Sequence, residues 1–167
     1  KKDYTTAVNE FQQLIDQNSR LAESYRAEGI AYYSEKAYPE AIAAFSRSLN
    51  NMDDPDKEFK KDVQFYLAQA RMDYGEVDKA IEVYSEILKA GEDEQAFFLR
   101  GKAYISMEDY KNAEKDFQRA LEGCEDYNLY INIYQIYVDH NKAVDGDDYL
   151  KMALELEPQD GEDCYHR

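Results

Sequence analysis

The side chains in this chain that could do chemistry are few and scattered. Carboxylates run together at Asp53-Asp54 and at Glu92-Asp93-Glu94. Paired acids perform general acid–base chemistry when a site excludes water and raises the proton affinity of one of them. No flanking segment encloses either run. Both fall where a loop or a helix start is expected, and there acids complement the helix dipole. His140 and His166 are isolated, and His140 is expected just past a helix end as a solvated cap. Asp139, Asn141, Asp145, Asp147 and Asp148 could attract calcium, but a calcium loop needs regularly alternating oxygens before a glycine, and Ala143 breaks the alternation. Cys124 and Cys164 have no C-x-x-C pairing, so they form neither a disulfide framework nor a zinc spacing, and read as two unpaired thiols. There is no Gly-rich phosphate loop, no Gly-x-Ser-x-Gly and no His-Glu-x-x-His. The residues predict no enzyme, no metal and no cofactor.

What the chain does carry is a rhythm of small and aromatic residues. Gly29-x-Ala31-Tyr32 is followed by Tyr38-x-x-Ala41-x-x-x-Phe45, and Gly101-x-Ala103-Tyr104 by Tyr110-x-x-Ala113-x-x-x-Phe117. A weaker copy, Ala68-x-Ala70-Arg71 and then Val77-x-x-Ala80-x-x-x-Tyr84, lies between them. The alanines that open each second helix, Ala7, Ala41, Ala80 and Ala113, are spaced by 34, 39 and 33 residues. The long step is absorbed by a loop over 51–56. Such a period marks stacked helix pairs. Glycine and alanine let neighbouring backbones approach, and the large residues fill the gaps between layers.

The helices that position these residues are expected at about 21–34, 37–50, 57–73, 76–89, 92–106, 109–122, 126–139 and 146–157. Pro39 suits a first turn. Gly91 and Gly123 are expected just past helix ends in left-handed conformation, and Asp109 and Asp126 as N-caps. Tyr4 to Asp16 reads as a second helix without its first. Gly161 to Arg167 resembles the entry at Gly91 to Arg100. The expectation is a fragment of a longer array.

Bulk properties bound the partner. With 36 acids against 20 Lys and Arg, the net charge is −16. That field repels phosphate backbones and anionic lipid, so nucleic-acid binding is not expected, and basic partners would gain in association rate. Apolar content of 44% allows a core. No apolar run spans a bilayer, so this segment is not expected to insert in a membrane. The compartment is left open between a bacterial cytoplasm and an exported parent tethered through a segment missing here.

The repeated residues resemble the tetratricopeptide repeat, a helix-turn-helix unit of 34 residues. The resemblance implies an all-α fold, a right-handed α-solenoid of antiparallel helix pairs. It gives one solenoid with a truncated second helix at 1–19, repeats at 22–55, 61–92 and 94–125, a degenerate repeat at 127–158, and a truncated start at 160–167. In the degenerate repeat Gly146 stands where the helix alanine belongs, and Tyr134 where the small first-helix residue belongs. It further implies a non-catalytic scaffold for protein–protein interaction, whose concave groove is lined by first helices and binds a peptide or protein segment. The positions carried over are Arg26, Ile30 and Tyr33, then Phe65, Gln69 and Met72, then Phe98, Lys102 and Ile105, then Ile131 and Gln135. Asp62, Tyr66 and Asp73 fall on the same second-repeat list, and Leu99 on the third. Phe65, Phe98 and Ile131 are either ligand anchors or packing residues; Tyr66 and Leu99 read as core. A clamp for a C-terminal carboxylate, known in the family, is rejected, because only Arg26 could serve it. Two alternative functions are carried: an accessory segment of a larger enzyme or sensor, and a structural module that self-associates through exposed end helices.

Overall fold

The computed structural model describes residues 21–52, 56–124 and 126–156. Within them the fold is all-α: α1 (Leu21–Ser34), α2 (Tyr38–Asn50), α3 (Lys57–Tyr74), α4 (Val77–Ala90), α5 (Glu94–Ser106), α6 (Tyr110–Ala120), α7 (Tyr127–Asp139) and α8 (Ala143–Glu155). These are antiparallel pairs of the α-solenoid class. The readings of 1–19, of 53–55 and of 160–167 lie outside the described residues.

The chain divides into two compact units, Lys1–Gly91 and Glu92–Arg167. In the first, α1 packs on α2, α2 on α3 and α3 on α4, with α1 beside α3. In the second, α5 packs on α6 and α7 on α8, with α5 beside α7.

Helix starts follow from acids that accept orphan backbone N–H groups. Asp56 caps α3 through Glu58 N at 3.0 Å, Asp93 caps α5 through Ala96 N at 2.9 Å, Asp109 caps α6 through Asn112 N at 3.2 Å, and Asp126 caps α7 through Asn128 N at 2.9 Å. Pro39 lies in the first turn of α2. Helix ends depart from expectation at one glycine. Gly123 is left-handed, with φ 74, but Gly91 has φ 167 and is simply extended.

Each pair closes with the same tight turn. Lys36, Gly75, Glu108 and Asn141 occupy equivalent places and all have positive φ, at 61, 92, 60 and 58. The residue after each donates its N–H five positions back: Ala37 to Tyr32 O, Glu76 to Arg71 O, Asp109 to Tyr104 O and Lys142 to Tyr137 O, at 2.8–2.9 Å. This is the Schellman pattern, which satisfies carbonyls the helix end leaves open. The recurrence also corrects the last helix. Because Asn141 makes the turn, α8 begins at Ala143 rather than near 146, so Asp145 lies in its first turn and Gly146 inside it.

Small residues then set the approach of the helices. Ala41, Ala80 and Ala113 are fully buried on second helices. On first helices, a Cβ added to Gly29 would lie 2.6 Å from Phe45 Cδ1, and one added to Gly101 would lie 2.7 Å from Phe117 Cε1. In α7 and α8 the sizes are exchanged. There the glycine is on the second helix, and a Cβ on Gly146 would meet Tyr137 Cβ at 2.8 Å and Tyr134 Cδ2 at 3.3 Å. The two departures from the repeat pattern therefore compensate each other.

Candidate interaction surface

In the first unit the first helices α1 and α3 lie side by side, and two polar clasps join them. Arg26 Nε donates to Asp62 Oδ2 at 2.5 Å. Its guanidinium also lies over the rings of Tyr66, at 5.3 Å, and Phe59, at 5.9 Å. At the other end Tyr33 Oη donates to Asp73 Oδ2 at 2.5 Å, and Gln69 Nε2 donates to Asp73 Oδ1 at 3.1 Å. Burial, followed by this hydrogen bond and the Asp73 charge, pushes the Tyr33 phenol above its usual range. Ionising the phenol there would place a phenolate next to an existing anion.

Ile30, Phe65 and Met72 are half-buried. The Phe65 ring sits 6.3 Å from that of fully buried Tyr84. Tyr66 stacks on buried Phe45, with centroids 5.6 Å apart and planes inclined by 17°. Arg26, the one residue that suited a carboxylate clamp, is already held by Asp62.

In the second unit Phe98 and Ile131 are half-buried, while Lys102 and Gln135 are exposed. The Phe98 ring lies 6.2 Å from that of Phe117. Gln135 Nε2 donates to Asp139 Oδ1 at 2.7 Å. Ile105 is a correction. It is fully buried in a cluster with Ala113, Phe117, Ile133 and Tyr137, so it belongs to the core and offers nothing to a ligand.

Other charged groups are committed to structure. Arg100 makes two hydrogen bonds to Asp116, at 2.7 and 2.8 Å, joining α5 to α6, with Asp116 only 4% exposed. The hydrogen bond that Arg100 donates to this carboxylate raises the Arg100 pKa. Glu114 Oε2 accepts from the hydroxyls of Tyr149, at 2.8 Å, and Tyr137, at 3.2 Å. In the run Glu92-Asp93-Glu94, Asp93 caps α5 and Glu92 pairs with Arg119, which also pairs with Glu122 at 2.7 Å and lies over Phe97. These acids border an open cleft, with nothing to exclude water from them. Among the described residues no helix is long and apolar enough to cross a membrane.

Sequence reasoning placed Asp62 and Asp73 on the presenting face but missed the clasps they form, and it missed Phe59 entirely. The available signal was spacing. Arg26 and Asp62 are 36 positions apart, and Tyr33 and Asp73 are 40 apart, each close to one repeat.

Comparison with known proteins agrees with this architecture. Two family models, both described as Tetratricopeptide repeat, match residues 2–56 and 94–126, together a little over half of the chain. No curated protein matches it in sequence. Among solved structures it is similar to MamA, at 17% identity and TM-score 0.73, covering 92% of this chain and 88% of that one. It is similar to MamA from Desulfovibrio magneticus at 16% identity and TM-score 0.74, covering 93% and 86%. The C-terminal part of a TPR repeat-containing protein from Cytophaga hutchinsonii shares 18% identity and TM-score 0.73, covering 93% of this chain and 60% of its own. At these identities the likeness speaks to fold alone. With the repeat matches, the small-residue packing and the four equivalent helix turns, it leads to one assignment: the chain belongs to the tetratricopeptide-repeat family.

Proposed function

We propose that the chain is a non-catalytic scaffold that binds a peptide or protein segment on the first-helix faces of its units. Tetratricopeptide repeats are protein-interaction modules in general, and nothing described above assembles a nucleophile, a base and an enclosed pocket. One observation carries the finer reading. Ile30, Phe65 and Met72 in the first unit, and Phe98 and Ile131 in the second, lie on first helices and stay partly exposed. Half-open apolar side chains beside polar groups that are already fixed are what a segment needs for anchoring at low ordering cost.

Selection of a random dodecapeptide display library on the immobilised protein tests this. Enriched peptides should bind the wild type and lose binding to Phe65→Ser/Phe98→Ser, with the helical circular-dichroism signal retained. Because both rings touch buried aromatics, Ile30→Asp and Ile131→Asp provide a second pair with less claim on the core. Failure of every peptide to enrich, or full binding by both pairs, rejects the reading.

A second reading, self-association, is favoured by α8, where Val144, Met152 and Leu154 are 83%, 49% and 48% exposed. Light scattering at two concentrations tests it through Val144→Ser/Met152→Ser, which should lower any mass above the monomer.

A further inference from the structure

We propose that Asp73 is the anchor for a cationic side chain, lysine or arginine, of the segment bound on the first-helix face of the first unit. The inference rests on the peptide-binding reading and adds the chemistry of the partner.

Asp73 differs from the other acids of α3. Glu58 pairs with Lys61 and Asp62 with Arg26. Asp73 accepts from a phenol and an amide, both neutral, and no Lys, Arg or His pairs with it among the described residues. Two neutral hydrogen bonds fix both of its oxygens and leave its charge uncompensated. It is also exposed, so a partner can reach it.

Its position does nothing for the helix. Asp73 is the penultimate residue of α3, at the end where the dipole is negative and a carboxylate is unfavourable. The Tyr33 hydrogen bond ties this acid to α1 but brings it no counter-charge, so the exposed anion stays open to a cation from outside. The same device recurs. Gln135 and Asp139 sit at the equivalent places of α7, Asp139 is its last residue, and it too has an amide donor but no cation among the described residues. The corresponding places in α1 and α5 hold Ser34 and Ser106, whose hydroxyls bond back to their own helices.

The surroundings of Asp73 suit a charge carried on an alkyl stem. The Tyr33 ring stands beside it and packs on Tyr38, with centroids 5.8 Å apart. Aromatic faces next to a carboxylate attract ammonium or guanidinium groups and cover the methylenes behind them.

The experiment repeats the display selection on wild type, on Asp73→Asn, and on the control Asp78→Asn, an exposed acid at the start of α4. Wild type and control should enrich peptides bearing Lys or Arg at a fixed distance from an apolar residue. The strongest of these, labelled and followed by fluorescence anisotropy, should bind Asp73→Asn about fivefold or more weakly. Replacing its cation by norleucine should weaken binding to wild type but add no further loss in Asp73→Asn. Asp73→Asn should keep the helical circular-dichroism signal of wild type, which separates lost binding from lost folding. Enriched peptides without cation preference, or equal affinity for Asp73→Asn, overturn the inference and leave the peptide-binding reading intact. No enrichment at all overturns both.

Discussion

Gly101 and Phe117 meet so closely that a single methyl on the glycine would stand 2.7 Å from the ring edge. Phe117 is fully buried, so the ring has nowhere to retreat. At an open helical site, Gly→Ala stabilises by about 1 kcal/mol. Here overpacking of roughly 1–3 kcal/mol opposes that gain. Gly101→Ala is expected to lower stability by about 1 kcal/mol net, measured as the urea midpoint. A rise would remove close packing as the reason for the glycine.

Ala80 tests the second-helix side of the same packing. It is fully buried. Ala80→Leu should cost roughly 1–3 kcal/mol. An unchanged denaturation midpoint would mean that the repeat register at α4 is misread.

The turns between paired helices offer an opposite sign. Glu108 holds φ 60 without being glycine, while Gly75 holds φ 92 at the equivalent place. A left-handed non-glycine residue costs roughly 1–2 kcal/mol, against about 0.5–1 kcal/mol of extra chain entropy for glycine. Glu108→Gly should therefore raise the melting temperature, and Gly75→Ala should lower it. The pair of melts must move in opposite directions.

Glu28 predicts a pH dependence. It is 2% exposed, and its Oε2 has no hydrogen-bond partner among the described residues. Burial raises its pKa above the usual carboxyl value, and Arg47 offsets this only in part. The folded state therefore binds more protons than the unfolded one between the two pKa values. In that window stability contributed by Glu28 falls as pH rises, and the loss is complete above the folded pKa. Glu28→Gln should raise the melting temperature at pH 7. Its advantage should shrink as pH falls toward the ordinary carboxyl pKa of 4.5. A constant advantage at all pH values would assign the effect to packing instead.

Asp116 ties α6 to Arg100 with both oxygens while nearly buried. Removing one member of such a pair strands the other charge, at a cost of about 3–5 kcal/mol when fully buried. Arg100 is 19% exposed, so Asp116→Ala should cost less than that range but more than 1 kcal/mol in chemical denaturation.

The fold was legible because its determinants are local. Gly29, Gly101, Ala41, Ala80 and Ala113 announce close crossings by size alone, and Asp109 and Asp126 announce helix starts by capping chemistry. The left-handed turns at Lys36 and Glu108 were not legible, because lysine and glutamate carry no signature for positive φ. Only the period, applied to Gly75, points to them. The face of the candidate site was legible as a list of helix positions, but its depth was not. Ile105 shares the period of the presenting residues and is nonetheless enclosed by Phe117 and Ile133. The clasps from Arg26 to Asp62 and from Tyr33 to Asp73 depend on how α1 slides against α3, which no single-helix pattern encodes.

The exchange of sizes between Gly146 and Tyr134 has a bearing on how this chain could be rebuilt. Repeat arrays invite cut-and-paste engineering, in which one helix is grafted for its counterpart. A transplant of α6 into the place of α8 would set Ala113 where Gly146 stands, driving a methyl into Tyr137. Only the α7–α8 hairpin, moved as an inseparable cassette, would preserve the fit.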